Sequence, residues 1–153
     1  MLTVRDIMTT EVVTLTPEAT LRDAMEALST NHLSGVPVVS GERVVGVISM
    51  TDILSFIVED TSTNVARMFD RHTVADLMTY EVFSVAPSIS IRSAADVMRK
   101  RGIHRVLVMD DHKLAGIVSA LDIARVVSET GVSGRTGVRR DPCCDEPSNW
   151  ITV

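Results

Sequence analysis

The stretch GVISMTDI, residues 46–53, returns as GIVSALDI at residues 116–123. Both copies close a β-branched run that carries a Gly, then set Ser and Asp three residues apart. A Ser ahead of an apolar run, with an acid three residues on, is a capping-box signature: the two side chains satisfy backbone N–H groups that the first helical turn leaves unpaired. A strand running into a capped helix, twice at one offset, points to an internal repeat, and the repeat decides the fold.

Sliding the chain on itself by 70 residues aligns residues 4–54 with 74–124 without a gap. Fifteen of the 51 pairs are identical: Val4, Asp6, Met8, Thr9, Glu11, Val12, Pro17, Arg22, Ala24, Val36, Val38, Gly46, Ser49, Asp52 and Ile53 all recur. A gapless match of that length marks a tandem duplication.

Each unit reads alike. VRDIMT (4–9) and VADLMT (74–79) are opening segments of about one helical turn. VVTL (12–15) and VFSV (82–85) are strand-like runs. Pro17 and Pro87 stand just upstream of a helix, where a missing N–H costs little. Leu21, Ala24, Met25 and Leu28 form a helical stripe that Ile91, Ala94, Ala95 and Met98 repeat, while Arg22 and Asp23 fall off the stripe and should face water. VPVV (36–39) and VVGVI (44–48), joined by the polar SGER (40–43), read as a buried antiparallel hairpin; VLVM, DDHK and LAGIV (106–118) read the same way. Closing helices begin at Ser49 and Ser119.

The unit is therefore strand–helix–strand–strand–helix. About 50 residues bury too little surface to be robust alone, so the two units are expected to pack sheet against sheet, face to face. The expected class is α/β, or α+β by some schemes. The boundaries read as a first unit at 1–60, a linker at 61–73, a second unit at 74–128 and a polar tail at 129–153. The segment SFIVEDTSTNVARMFDRHT (55–73) carries Phe56, Ile57 and Phe69, and is expected to continue the closing helix before crossing.

Composition excludes several classes. The 153 residues are 45% hydrophobic but only 3% aromatic, in short runs far below the roughly 20 apolar residues of a membrane span. MLTVRDIMTTEVV lacks a basic region leading into an apolar stretch, so no secretory signal is read and a cytoplasmic location is expected. Net charge is −5, with acids and bases interspersed and no basic stripe for nucleic acid. Cys143 and Cys144 are adjacent, make no disulfide framework and are expected to be free thiols. His104, Asp110, Asp111 and His112 are explained by a polar hairpin loop, and no metal site is expected. No Gly-x-Ser-x-Gly, phosphate-binding loop or Ser/His/Asp set is present, so catalysis is not expected.

Two copies of strand–helix–hairpin–helix, each ending in Gly-h-h-Ser-x-x-Asp (h is apolar), carry DIMT (6–9) and DLMT (76–79), Pro17 and Pro87, SGVPVV (34–39) and IHRVLV (103–108). Together these resemble a tandem pair of cystathionine-β-synthase domains, a Bateman module, over roughly residues 4–126. The resemblance implies a pseudo-twofold with two clefts between the repeats. Their effector would be an adenine nucleotide or adenosyl compound, with no required cofactor. In that arrangement Asp52 and Asp122 take the ribose. Ser49, Ser119, Thr51, His104 and Arg105 lie on the phosphate side. Thr14, Ser34, Gly35, Val36, Pro37, Ser84, Val106, Met8 and Met78 line the adenine or the cleft. It further implies a homodimer regulating an effector protein, here expected to act in trans, with no nucleic acid or membrane as partner.

Each of these residues also has a plainer reading. Ser49-x-x-Asp52 and Ser119-x-x-Asp122 cap helices with no ligand at all, although a capped helix mouth after a strand also favours an anion. His104-Arg105 aligns with Ser34-Gly35; it reads either as a phosphate-reaching fork of donors or as a surface Arg beside a satisfied His. In the first case the two clefts differ in phosphate preference. Met8 and Met78 serve core packing equally well. The alternative for the whole chain is a structural or protein-interaction module with unoccupied clefts.

Overall fold

Capping side chains fix where the helices begin. The computed structural model describes residues 1–61 and 64–130. In chain order the elements are α1 (Val4–Ile7), α2 (Leu21–Thr30), β1 (Gly35–Ser40), β2 (Arg43–Ser49), α3 (Met50–Glu59), α4 (Val65–Arg71), α5 (Val74–Leu77), β3 (Ser84–Val85), α6 (Ile91–Arg101), β4 (Arg105–Asp110), β5 (Lys113–Ser119) and α7 (Ala120–Glu129). The Asp23 N–H donates to Thr20 Oγ1 at 3.1 Å to open α2, and the Ser93 N–H donates to Ser90 Oγ at 3.1 Å to open α6. The stripe of α2 then buries Leu21, Ala24 and Leu28 completely, with Met25 at the margin, and α6 buries Ala94 and Met98. Arg22 lies outside the stripe and is exposed, its guanidinium on Asp70 at 2.6 Å.

Both hairpins form in the same register. β1 pairs antiparallel with β2, and β4 with β5, each with a bulge after the fourth pair, at Val38/Val39 and Val108/Met109. The connecting turns are tighter than the four-residue loops read from sequence. Ser40 already pairs with Arg43 and Asp110 with Lys113, leaving two-residue turns. Gly41 (φ 62°), and Asp111 and His112 (φ 46° and 67°), supply the left-handed backbone that matches such turns to the strand twist.

The first strand of each unit is shorter than its apolar run. Only Ser84–Val85 pairs, parallel to β4, and in the first unit only Leu15 bridges to Val38. Pro17 and Pro87 end these runs because they have no N–H to extend a ladder.

The opening segments are exchanged between the repeats. Backbone N–H groups of Val4 and Arg5 donate to the carbonyls of Ile89 and Pro87, at 2.9 and 3.0 Å. Those of Val74 and Ala75 donate to Ala19 and Pro17, at 2.8 and 2.9 Å. Thr9 pairs with Ile117 on β5, and Thr79 with Val47 on β2. The two cores are mixed accordingly. Leu21, Val36, Ile48 and Ile53 enclose Val74 and Met78, whereas Val85, Val106, Val108 and Val118 enclose Val4. Burying a whole Val in this way is worth about 1.5–3 kcal/mol, so each repeat draws part of its stability from the other. β2 lies against β5, and Lys113 reaches Glu42 at 2.9 Å between the two hairpin turns. The result is a mixed α+β fold of two small sheets, with seven helices among the described residues.

Between the repeats, the closing helix runs on through Ser55–Glu59, as expected, before the chain crosses, and the crossing holds a further helix that was not expected. α3 stops at Glu59, and α4 is a separate helix capped by Asn64, whose Oδ1 accepts from the Arg67 N–H at 3.1 Å. It buries Met68, while Phe69 packs against the first core and Phe56 stacks edge-on with His72 at 4.8 Å. Cys143, Cys144 and Trp150 of the polar tail lie outside the described residues.

Candidate functional site

The two helix mouths carry the repeated motif. At Ser49, the backbone N–H and the hydroxyl both donate to Asp52 Oδ2, at 2.7 and 2.8 Å, and the hydroxyl accepts from the Asp52 N–H at 3.2 Å. Ser119 and Asp122 repeat this at 2.9, 2.6 and 3.2 Å. The capping reading is therefore realised at both positions, and one carboxylate oxygen of each Asp is committed to it. The copies differ beyond that. Asp122 Oδ1 accepts from Arg125 at 3.2 Å, while the residue aligned with Arg125 in the first repeat is Ser55, which has no guanidinium.

Asp122 borders a cleft of about 310 Å³ made by both repeats. Thr9 comes from the first opening segment, Glu11, Val12 and Val13 from the stretch that follows it, and Asn31 and Leu33 from just past the end of α2. Gly35, Val36 and Pro37 come from β1, and Arg105, Ile117, Ser119 and Asp122 from the second repeat. Its floor is apolar and its polar groups converge from opposite repeats, the pattern of a small-molecule site. Arg105 donates through Nη1 to Ser34 Oγ at 3.1 Å, so the two positions that the sequence alignment sets one residue out of register meet across the repeat boundary.

The cleft thus gathers six of the residues singled out from sequence: Gly35, Val36, Pro37, Arg105, Ser119 and Asp122. Ser34 adjoins it through Arg105. Ser49, Thr51 and Asp52 stand at the other helix mouth, with Thr51 exposed. His104 is exposed beside Arg105 and does not line this cleft; its carbonyl accepts from the Ala120 N–H at 2.8 Å. Met78 is buried in the first core, and its sulfur lies where a Cβ on Gly46 would come within 3.0 Å; Met8 stands likewise by Gly116. Val106 is wholly buried in the second core. Thr14 is exposed, and Ser84 lines a separate depression with Met109, Asp111 and His112.

The sequence reading passed over Thr9, Glu11, Val12, Val13, Asn31, Leu33 and Ile117. A signal existed: Thr9, Glu11 and Val12 recur as Thr79, Glu81 and Val82, outside any helical stripe that would explain their retention. Their place against the partner repeat follows from the exchange of opening segments, which has no local mark.

Chemically, the cleft offers an apolar slot, a capped helix mouth with a carboxylate at its rim, and one guanidinium. That set can hold a flat apolar ring, a diol and an anionic or polar substituent. Among the described residues no three His, Cys, Asp or Glu converge to hold a metal ion, and no helix is long and apolar enough to cross a membrane.

The family model for the CBS domain matches residues 4–59 and again 74–129. Protein MJ1232 of Methanocaldococcus jannaschii is 30% identical over 126 residues, covering 82% of this chain; the chain spans only 39% of that protein's length. Among solved structures, CBSX2 in complex with AMP is 28% identical with a TM-score of 0.72, covering 85% of this chain and 98% of that one. The CBS domain of a bacterial CNNM/CorC family Mg2+ transporter in complex with ATP is 27% identical with a TM-score of 0.70, covering 82% and 87%.

Proposed function

This chain belongs to the CBS domain family, as a tandem pair, and we propose that it is a regulatory module sensing an adenosine-containing ligand in the cleft between its repeats. The observation that carries the reading is the convergence of Asp122 and Arg105 from the second repeat with the Gly35–Pro37 wall of the first around one cleft of about 310 Å³. Val12, Val13, Val36 and Pro37 would sandwich the adenine, Asp122 would accept from the ribose hydroxyls, and Ser119 and Arg105 would face the 5′ substituent. The bound AMP and ATP of the two similar structures support the same ligand class.

A ligand touching both repeats favours one relative arrangement of them and shifts the population toward it. The proposed output is read in trans by an effector protein, with no catalytic step. The closing helices expose Leu54 and Val58 on α3 and Leu121 and Val127 on α7, the apolar surface proposed for pairing into a homodimer. The test is thermal denaturation against AMP, ADP, ATP, S-adenosylmethionine and NAD. A ligand at 100 times its dissociation constant adds about 2.7 kcal/mol, a rise of roughly 5–10 °C for a domain of this size. No shift with any of the five would reject the sensor reading in favour of an interaction module with unoccupied clefts.

A further inference from the structure

We infer that Glu11 sets the charge the cleft accepts, restricting it to adenosyl ligands whose 5′ group carries at most one phosphate. The inference rests on the adenosyl reading above. Two carboxylates, Glu11 and Asp122, line the cleft against a single cation, Arg105. Asp122 is already compensated: its Oδ1 accepts from Arg125, and its Oδ2 accepts from the Ser119 N–H and hydroxyl. Arg105 bonds to the neutral Ser34 hydroxyl, so its charge stays available to a ligand. Glu11 lines the cleft, is exposed, and has no ion-pair partner among the described residues.

One guanidinium matches one phosphate. A second and third phosphate would find no further cation on the lining and would be drawn along a wall holding Glu11. Like charges brought together at an exposed rim repel, and at low ionic strength that repulsion is little screened.

The test is isothermal titration calorimetry of the full chain with AMP, ATP and 5′-methylthioadenosine, magnesium-free and at low ionic strength. AMP and 5′-methylthioadenosine are expected to bind, with ATP weaker than AMP by about tenfold or more, and added salt should narrow that gap. Glu11→Gln should tighten ATP about fivefold while moving 5′-methylthioadenosine less than twofold, with an unchanged melting temperature because Glu11 is exposed. ATP binding as tightly as AMP, or an AMP-to-ATP ratio unmoved by Glu11→Gln, would overturn the inference alone. Failure of all three compounds to bind would overturn the adenosyl reading and the inference with it.

Discussion

Gly46 and Thr79 belong to different repeats, yet the Thr79 carbonyl oxygen sits where a Cβ on Gly46 would approach to 2.8 Å. Gly116 and Thr9 repeat the relationship at 2.7 Å. The glycine at the head of each Gly-h-h-Ser-x-x-Asp motif is thus required by the other repeat, whose backbone pairs beside it: the Val47 N–H donates to Thr79 at 2.9 Å and the Ile117 N–H to Thr9 at 3.0 Å.

Gly46→Ala and Gly116→Ala are each expected to destabilise the fold by about 1–3 kcal/mol, the usual cost of overpacking against groups that cannot yield. Urea denaturation reads this directly. Gly41→Ala is the contrast: its Cβ would meet nothing within 4 Å, and the penalty is that of left-handed backbone alone, about 1–2 kcal/mol. Unchanged midpoints for the first two variants would refute the steric account.

Exchange of the opening segments predicts displaced effects of core truncation. Val4→Ala should cost about 2–3 kcal/mol. It should speed hydrogen exchange at Val106, Val108 and Val118, in the repeat to which Val4 does not belong by sequence. Val74→Ala should loosen Val36, Val38 and Ile48 instead. Acceleration confined to the truncated residue's own repeat would contradict the exchanged cores.

Capping and ligand binding at Asp122 can be separated. Asp122→Asn keeps an acceptor for the Ser119 N–H and should retain most of the cap, while weakening an adenosyl ligand by about tenfold through loss of charge-assisted bonds to the ribose. Asp122→Ala keeps the Ser119 cap on the backbone N–H of residue 122 but leaves the Ser119 N–H without its acceptor, at about 1 kcal/mol. Calorimetry beside melting curves distinguishes the two. Wild-type affinity in both variants would remove Asp122 from the ribose site.

Acid should destabilise the fold through exposed carboxylates. Hydrogen bonds from the Thr3, Thr20 and Thr73 capping groups hold Asp6, Asp23 and Asp76 below the ordinary carboxylate range, led by the backbone N–H at Thr3 and Thr73 and by the hydroxyl at Thr20. Arg22 lowers Asp70 in the same way. A depressed folded-state pKa contributes stability that is present above the unfolded value, near 3.9, and is lost as pH falls through the folded value. Melting temperature should therefore hold level down to about pH 5 and drop below about pH 4. Asp76→Asn should melt lower at neutral pH and show a shallower acid drop; an identical acid limb would dismiss that contribution.

Much of the fold was legible from residue order, because its signals are local. The Ser and Thr caps, the stripe of Leu21, Ala24 and Leu28, and the apolar runs about SGER and DDHK each act within a few residues. They set elements close to those observed. Where reading and structure part, a competing short-range rule or a long-range contact intervened. The hairpin turns shrank to two residues because Gly41, Asp111 and His112 take left-handed backbone. The strand-like runs at 12–15 and 82–85 pair at only one or two residues before a proline halts them. The closing helix runs into the 55–73 segment as read, but a second helix, unanticipated, opens on the Asn64 side chain after it.

The candidate site was legible only in its repeated part. Ser119 and Asp122 announced themselves as a motif, whereas Asn31 and Leu33, which do not recur in the second repeat, reach the cleft from a segment with no recognisable chemistry of its own. By itself, the order of residues determined that there are two like units, where their helices start and which faces are apolar. Tertiary structure alone decided that each unit's opening segment completes the other's core, and so which side chains share the cleft. Two copies obeying one local code carry the same short-range preferences, and only packing between them, over scores of residues of chain, selects which copy a segment joins.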